Sequence, residues 1–238
     1  MSLELMEADD FEYNEKKASD LRVSMKELPN IPVPKRKYKE IEISGRDGKY
    51  LEEEGYEDIT ITLKLNFIVN CEKWYEETRE IRHWLLGNKN RELRFGRDAG
   101  FYYKIKKVEI GEIEHTTERI GNFEVNFTCN PYNYLFEGKS EKTLSELKWN
   151  PFEECHPLYI ISGNGNCSLT VNGKTVRISV TEKTLIDTER MLTCLEDKTL
   201  KNTALTGKYE DLYLKTGENT FSYSSGFSVK AIPNWRCI

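Results

Sequence analysis

Over residues 58–70 the chain alternates strictly. Ile59, Ile61, Leu63, Leu65, Phe67 and Val69 fall on one side, and Thr60, Thr62, Lys64 and Asn66 on the other. A period of two puts successive side chains on opposite faces of a pleated strand, so the pattern predicts a long strand with one face buried. The period then changes. Over residues 71–86, Trp74, Tyr75, Ile81, Trp84 and Leu85 collect near one face of a 3.6-residue repeat, which predicts a helix capped by Asn70 and ended by Gly87. Strand texture returns at 91–95, after a turn at 96–100 over 101–110, and at 122–129, where Phe123, Val125, Phe127 and Cys129 alternate with polar residues. Asn130-Pro131-Tyr132 follows. Proline has no N–H to give to a ladder, so the strand is expected to end there.

The second half has a different texture. Short strands are predicted at 158–162, 167–171, 174–180 and 184–187, then near 212–214, 220–223 and 227–232. Asn172-Gly173 between two of them marks a two-residue hairpin, whose two turn positions both need positive φ. Gly163-Asn164-Gly165-Asn166 also reads as a turn joining strands. Between the halves, residues 136–150 are polar and mixed. These patterns give a mainly β protein of two domains: an N-terminal β-sandwich with one helix over 1–135, a linker over 136–150, and a C-terminal β-sandwich over 151–238.

Composition narrows the function classes. Of 238 residues 38% are apolar and 32% charged, which suits two thin domains better than one thick globule. A net charge of −5 supplies no field for displacing counterions from nucleic acid, so specific nucleic-acid binding is not expected. The basic run Lys35-Arg36-Lys37-Tyr38-Lys39 is offset by the acidic opening (Glu4, Glu7, Asp9, Asp10, Glu12) and reads as a charged strand edge that discourages unwanted pairing. Glu52-Glu53-Glu54 reads as a solvated turn. No apolar run reaches the ~20 residues of a membrane span and the N-terminus lacks secretory features, so synthesis in a cytoplasm is expected, with no membrane partner.

Catalytic and metal signatures are missing. There is no Gly-x-Ser-x-Gly elbow, no phosphate-cradling glycine loop and no His-Glu-x-x-His pair. The six cysteines (Cys71, Cys129, Cys155, Cys167, Cys194, Cys237) and three histidines (His83, His115, His156) lack metal-ligand spacing; thiols are expected, with no metal and no cofactor.

Several motifs stand in an order that resembles the siphophage distal tail protein family (Dit). Phe11-Glu12-Tyr13-Asn14 and Asp20-Leu21-Arg22-Val23 resemble its first strands, and Gly45-Arg46-Asp47-Gly48 its Gly-Arg-Asp-Gly turn. The long alternating strand, the helix ending in Trp84-Leu85 and the Phe101-Tyr102-Tyr103 strand follow, then Asn130-Pro131-Tyr132. In the second half the resemblance continues through Pro157-Leu158-Tyr159-Ile160, Val171-Asn172-Gly173, Ile186-Asp187 and Pro233-Asn234-Trp235-Arg236. One departure is Glu15, where many members have glycine after Asn14. Met6 is an alternative initiator, ahead of which residues 1–5 would be an addition.

The resemblance implies a structural, non-enzymatic hub at the virion tail tip, made in the bacterial host cytoplasm. Its N-terminal domains would build a ring, a hexamer in the family, and its C-terminal galectin-like sandwiches would project outward. The ring would join the tail tube protein to a tail-associated lysin or tail fibre protein, with receptor-binding proteins as further partners, and let DNA through its centre. The rival is a carbohydrate-binding adsorption module that holds host cell-wall glycans on an aromatic platform, for which Trp149, Tyr159, Tyr213 and Trp235 are the candidates. A wall hydrolase is the remaining alternative.

Overall fold

The structure, a computed structural model, describes residues 6–238, so the alternative start at Met6 concerns residues outside those described. Two compact units emerge: one ends at Asn133 and includes Ile238, and the other comprises Tyr134–Cys237.

In the first unit β1 (Phe11–Tyr13), β2 (Lys16–Lys17) and β3 (Val23–Met25) are short. A ribbon of β4 (Arg36–Glu42) and β5 (Lys49–Tyr56) precedes β6 (Ile59–Ile68), α1 (Trp74–Leu86), β7 (Glu92–Phe95), β8 (Phe101–Ile110), β9 (Glu114–Thr117) and β10 (Ile120–Leu135). One sheet runs in the order β2-β1-β7-β8-β10-β6-β3, with β9 also on β10. The β6 alternation is realised in full: Ile59, Ile61, Leu63, Leu65 and Phe67 are buried, and their partners in β10 run antiparallel from Ile68↔Ile120 to Ile59↔Cys129.

The N-terminal β-sandwich is built largely from one curled sheet. β1 and β10 are three strands apart, which would separate them by about 14 Å in a flat sheet. The rings of Tyr13 and Phe127 nevertheless meet edge-on at 5.1 Å, so the sheet closes over its own core. Helix α1 seals the opening. Trp84 stacks on Phe11 and donates from Nε1 to the Tyr13 carbonyl at 2.6 Å, while Trp74 packs on Phe67.

Four local expectations are corrected. Tyr75 lies outside the buried face, at 70% exposure, because Trp74, Ile81, Trp84 and Leu85 centre the apolar stripe about a third of a turn away from it. A 3-10 turn (Cys71–Lys73) leads into α1, and Asn70 makes no side-chain cap. Pro131 does not end its strand: the β6 ladder already stops at Cys129, so on that side the missing N–H costs no bond. Glu52-Glu53-Glu54 lies within β5 instead of a turn.

The second unit holds β11 (Lys142–Thr143), β12 (Trp149–Asn150), β13 (Leu158–Ser162), β14 (Gly165–Val171), β15 (Lys174–Val180), β16 (Lys183–Asp187) and β17 (Leu192–Leu195). It ends with β18 (Leu205–Thr206), β19 (Gly217–Glu218), β20 (Phe221–Tyr223), β21 (Ser228–Ile232) and β22 (Arg236–Cys237). Two sheets, β11-β21-β13-β16-β17 and β18-β15-β14-β20, share one core. Tyr159, Ile161 and Ile186 from the first meet Leu169, Val176 and Ile178 from the second, which is a β-sandwich. Asn172 and Gly173 take φ of 52° and 80°, as the turn demands. Residues 212–214 form no strand; a 3-10 turn (Tyr209–Leu212) stands there, and Leu214 makes an isolated bridge to Cys155.

The stretch 136–150, expected as a linker, is folded into this unit. A 3-10 turn (Leu144–Leu147) buries Leu144 and Leu147 in the second core, and Glu146 reaches back to the Thr143 backbone N–H at 2.7 Å. The boundary at Asn133 falls inside β10.

Candidate functional site

Three of the six cysteines, Cys129, Cys155 and Cys167, are buried, and Cys71 is exposed. Cys129 and Cys155 are fully buried, and burial pushes each thiol up to about 12, so neither supplies thiolate near neutrality. Among the described residues no three His, Cys, Asp or Glu side chains converge as a metal cage would require.

The four aromatic platform candidates do not come together on a surface. Tyr159 is fully buried and donates its hydroxyl to the Leu212 carbonyl at 2.8 Å; Trp235 is buried against Phe152. Tyr213 is half-buried, stacked on His156 at 3.9 Å. Trp149 alone of the four stands out, at 65% exposure on the two-stranded β12-β19 pair. Tyr159 and Trp235 are core residues and not a platform: alternation along β13 turns Tyr159 inward, and Trp235 packs into the same core from the connection between β21 and β22.

The first unit carries a more pronounced feature. Seven large apolar side chains are exposed within 24 consecutive residues: Leu28, Ile31, Val33, Tyr38, Ile43, Tyr50 and Leu51, with Val33 at 83%. Pro29, Pro32 and Pro34 explain the first three. Proline fixes φ and withholds a donor, so residues 27–34 take no strand or helix and their apolar residues cannot alternate into a core.

The other four belong to the β4–β5 ribbon, a separate two-stranded sheet. Its strands of seven and eight residues extend about 25 Å. The tip is the Gly-Arg-Asp-Gly motif, where Gly45 and Gly48 take φ of 82° and 81°. At the root, Arg36 lies over the Tyr56 ring, which meets Tyr132 edge-on at 6.1 Å. The basic run and the glutamates face one another: Arg36 pairs Glu53, Lys37 pairs Glu54, Lys39 pairs Glu52, and Lys49 serves both Glu40 and Glu42. Such exposed pairs contribute little each, and a lone two-stranded ribbon is marginal in water. The basic run therefore fixes register as well as lying on a charged edge.

A second exposed patch lies on the outer face of α1. Tyr75, Arg79, Arg82 and Leu86 recur at helical spacing, and Leu86 is 63% exposed. Beside them an open groove of about 460 Å³ is lined by Arg79, Arg82, His83, Leu86 and Gly87. Neither arginine has an ion pair among the described residues. The sequence signal for this patch was the i, i+4, i+7, i+11 spacing, obscured by assigning Tyr75 to the core.

Comparisons with known proteins place this architecture. The chain superposes on the Dit protein of phage SPP1, described as a paradigm of the hub adsorption apparatus in phages infecting Gram-positive bacteria. The TM-score is 0.64 at 12% identity, over 93% of this chain and 97% of that one. A chain of the phage P2 baseplate in its activated conformation with Ca matches with a TM-score of 0.50 at 12% identity, over 96% of this chain and 98% of that one. No curated protein matches the sequence. At these identities the structural matches establish the fold. Residues 6–131 match the family model described as the phage tail protein N-terminal domain, which spans more than half of the sequence. The chain therefore belongs to the phage tail protein family defined by that domain.

Proposed function

We propose that this phage tail protein is the distal hub of a siphophage or prophage tail, a structural ring at the tail tip. The observation that carries the reading is the correspondence of nearly the whole chain, both units in the same order, to a hub protein of known structure. In this reading the first unit builds the ring, six copies around an axis. One side of the ring meets the tail tube protein, and the other carries a tail-associated lysin, tail fibre or receptor-binding protein. DNA passes through the centre. Cyclic closure repeats one heterologous interface, so each copy must present two complementary patches, and the first unit exposes two. The two units are independently folding domains, each with its own core. The role requires no catalysis, cofactor or metal.

Negative-stain imaging and mass photometry over a concentration series, with and without the tube or lysin partner, test the reading. Six-fold rings with a central opening are expected. Oligomers formed by the isolated second unit, with the first unit monomeric even beside partners, would refute it. Glycan-array binding abolished by Trp149→Ala would instead favour a carbohydrate-adsorption role, to which only Trp149 of the four aromatics lends an exposed ring.

A further inference from the structure

We propose that the β4–β5 ribbon of one copy docks on the outer face of α1 of a second copy, which deepens the ring reading and rests on it. Cross-strand register decides which ribbon residues share a face. Tyr38 lies opposite Glu53, Glu40 opposite Leu51 and Glu42 opposite Lys49, so Tyr38, Glu40, Glu42 and Leu51 present together. Arg36 neutralises Glu53 on this face, but Lys49 is shared between Glu40 and Glu42. One carboxylate is left in surplus beside two exposed apolar side chains.

The α1 stripe is the complement. Tyr75 and Leu86 are exposed at its ends, with Arg79 and Arg82 between them and without carboxylate partners among the described residues. Outside residues 28–51, the exposed large hydrophobics among the described residues of the unit ending at Asn133 are Ile68, Ile238 and these two. The dimensions also agree. From Tyr75 to Arg82 the helix rises about 10 Å, and from Tyr38 to Glu42 the ribbon runs about 13 Å.

The Tyr75 end of the stripe would bury against Tyr38 and Leu51, while the surplus carboxylate meets the two guanidiniums and sets register. The two patches are different surfaces of the same chain. Their contact is therefore heterologous and propagates around an axis, whereas a self-complementary patch would stop at a dimer. A ribbon covered in this way also ceases to be a marginal two-stranded sheet with open edges.

The test uses the full chain and charge exchange. Arg79→Glu with Arg82→Glu, and separately Glu40→Lys with Glu42→Lys, should each raise the concentration for half-assembly by at least about tenfold in mass photometry; the four substitutions in one chain should restore it. Equal mixtures of the two double variants offer a wild-type contact in one direction and a charge-exchanged contact in the other, and should assemble into rings of alternating variants that neither forms alone. As an independent readout, Tyr38→Cys with Tyr75→Cys in a Cys71→Ser background should form a ladder of disulfide-linked oligomers on oxidation. Wild-type rings with both charge variants assembling normally and no ladder would overturn this interface while leaving the ring intact. A wild-type chain monomeric at every concentration, even with tail partners, would overturn the ring reading and this interface together.

Discussion

The turn between β1 and β2 holds a local conflict that a single substitution should relieve. Tyr13 pairs with Lys16, so Asn14 and Glu15 are the two central residues of a tight hairpin, at φ of 51° and 66°. Such turns need positive φ at both positions. Asparagine tolerates this, glutamate does not, and the left-handed region costs an ordinary residue roughly 1–2 kcal/mol. The Glu15 side chain is exposed and makes no hydrogen bond or ion pair among the described residues, so nothing there repays the strain.

Glu15→Gly removes the strain but adds freedom to the unfolded chain, an offset of about 0.5–1 kcal/mol. The net gain should be about 0.5–1 kcal/mol, a rise of roughly 1–4 °C in the melting temperature of the first unit. The other hairpin supplies the mirror experiment. Gly173 occupies the equivalent position at φ 80° with open space where a Cβ would go, so Gly173→Glu should cost a similar amount through conformation alone. Calorimetry of Glu15→Gly, Glu15→Ala and Gly173→Glu decides the matter. Alanine keeps the strain, so it should leave stability nearly unchanged. A melting temperature lowered by Glu15→Gly, or raised equally by alanine, would show that the side chain and not the backbone governs this turn.

Trp84→Ala should destabilise the first unit by about 3–5 kcal/mol, since it removes a buried indole, its bond to the Tyr13 carbonyl and its stacking on Phe11; an unchanged urea midpoint would contradict the role given to α1. Cys129 and Cys155 are held at about 12 against an ordinary 9.0, so the folded state favours the neutral thiol; their contribution is complete below pH 9 and is lost as pH rises from 9 to 12. At pH 10 this is about 1.4 kcal/mol per thiol, and Cys129→Ala should show a smaller loss between pH 8 and pH 10 than the wild type; identical losses would sink the assignment. Limited trypsin digestion of the monomer should cut first within residues 27–56, at Lys35 or at Arg46 in the ribbon tip, and an initial cut within 136–150 would mean that stretch is loose after all.

What could be read in the sequence was whatever depends on neighbours in the chain. The β6 alternation, the Asn172-Gly173 turn and the β13 and β15 strands need only local periodicity and local dihedral preference, and each stands where its pattern put it. Motif order across the chain carried the family, because turns and strand ends recur in register even when their packing is unknown.

Tertiary structure decided the rest. The burial of Leu144 and Leu147 could not be inferred from a stretch whose composition is polar, since two leucines three residues apart become core only when a sandwich is there to receive them. Tyr75 adjoins Trp74 in sequence but points about 100° away on the helix, and only the curl of the sheet fixes which of the two directions is inside. The platform aromatics separated for the same reason: an aromatic ring has the same apolar character in a core and on a binding face, and solvent access is a property of the assembled fold. The ribbon is the clearest instance. Its basic run reads as a charged strand edge in the sequence, and that both faces of the ribbon stay uncovered among the described residues is decided only in three dimensions.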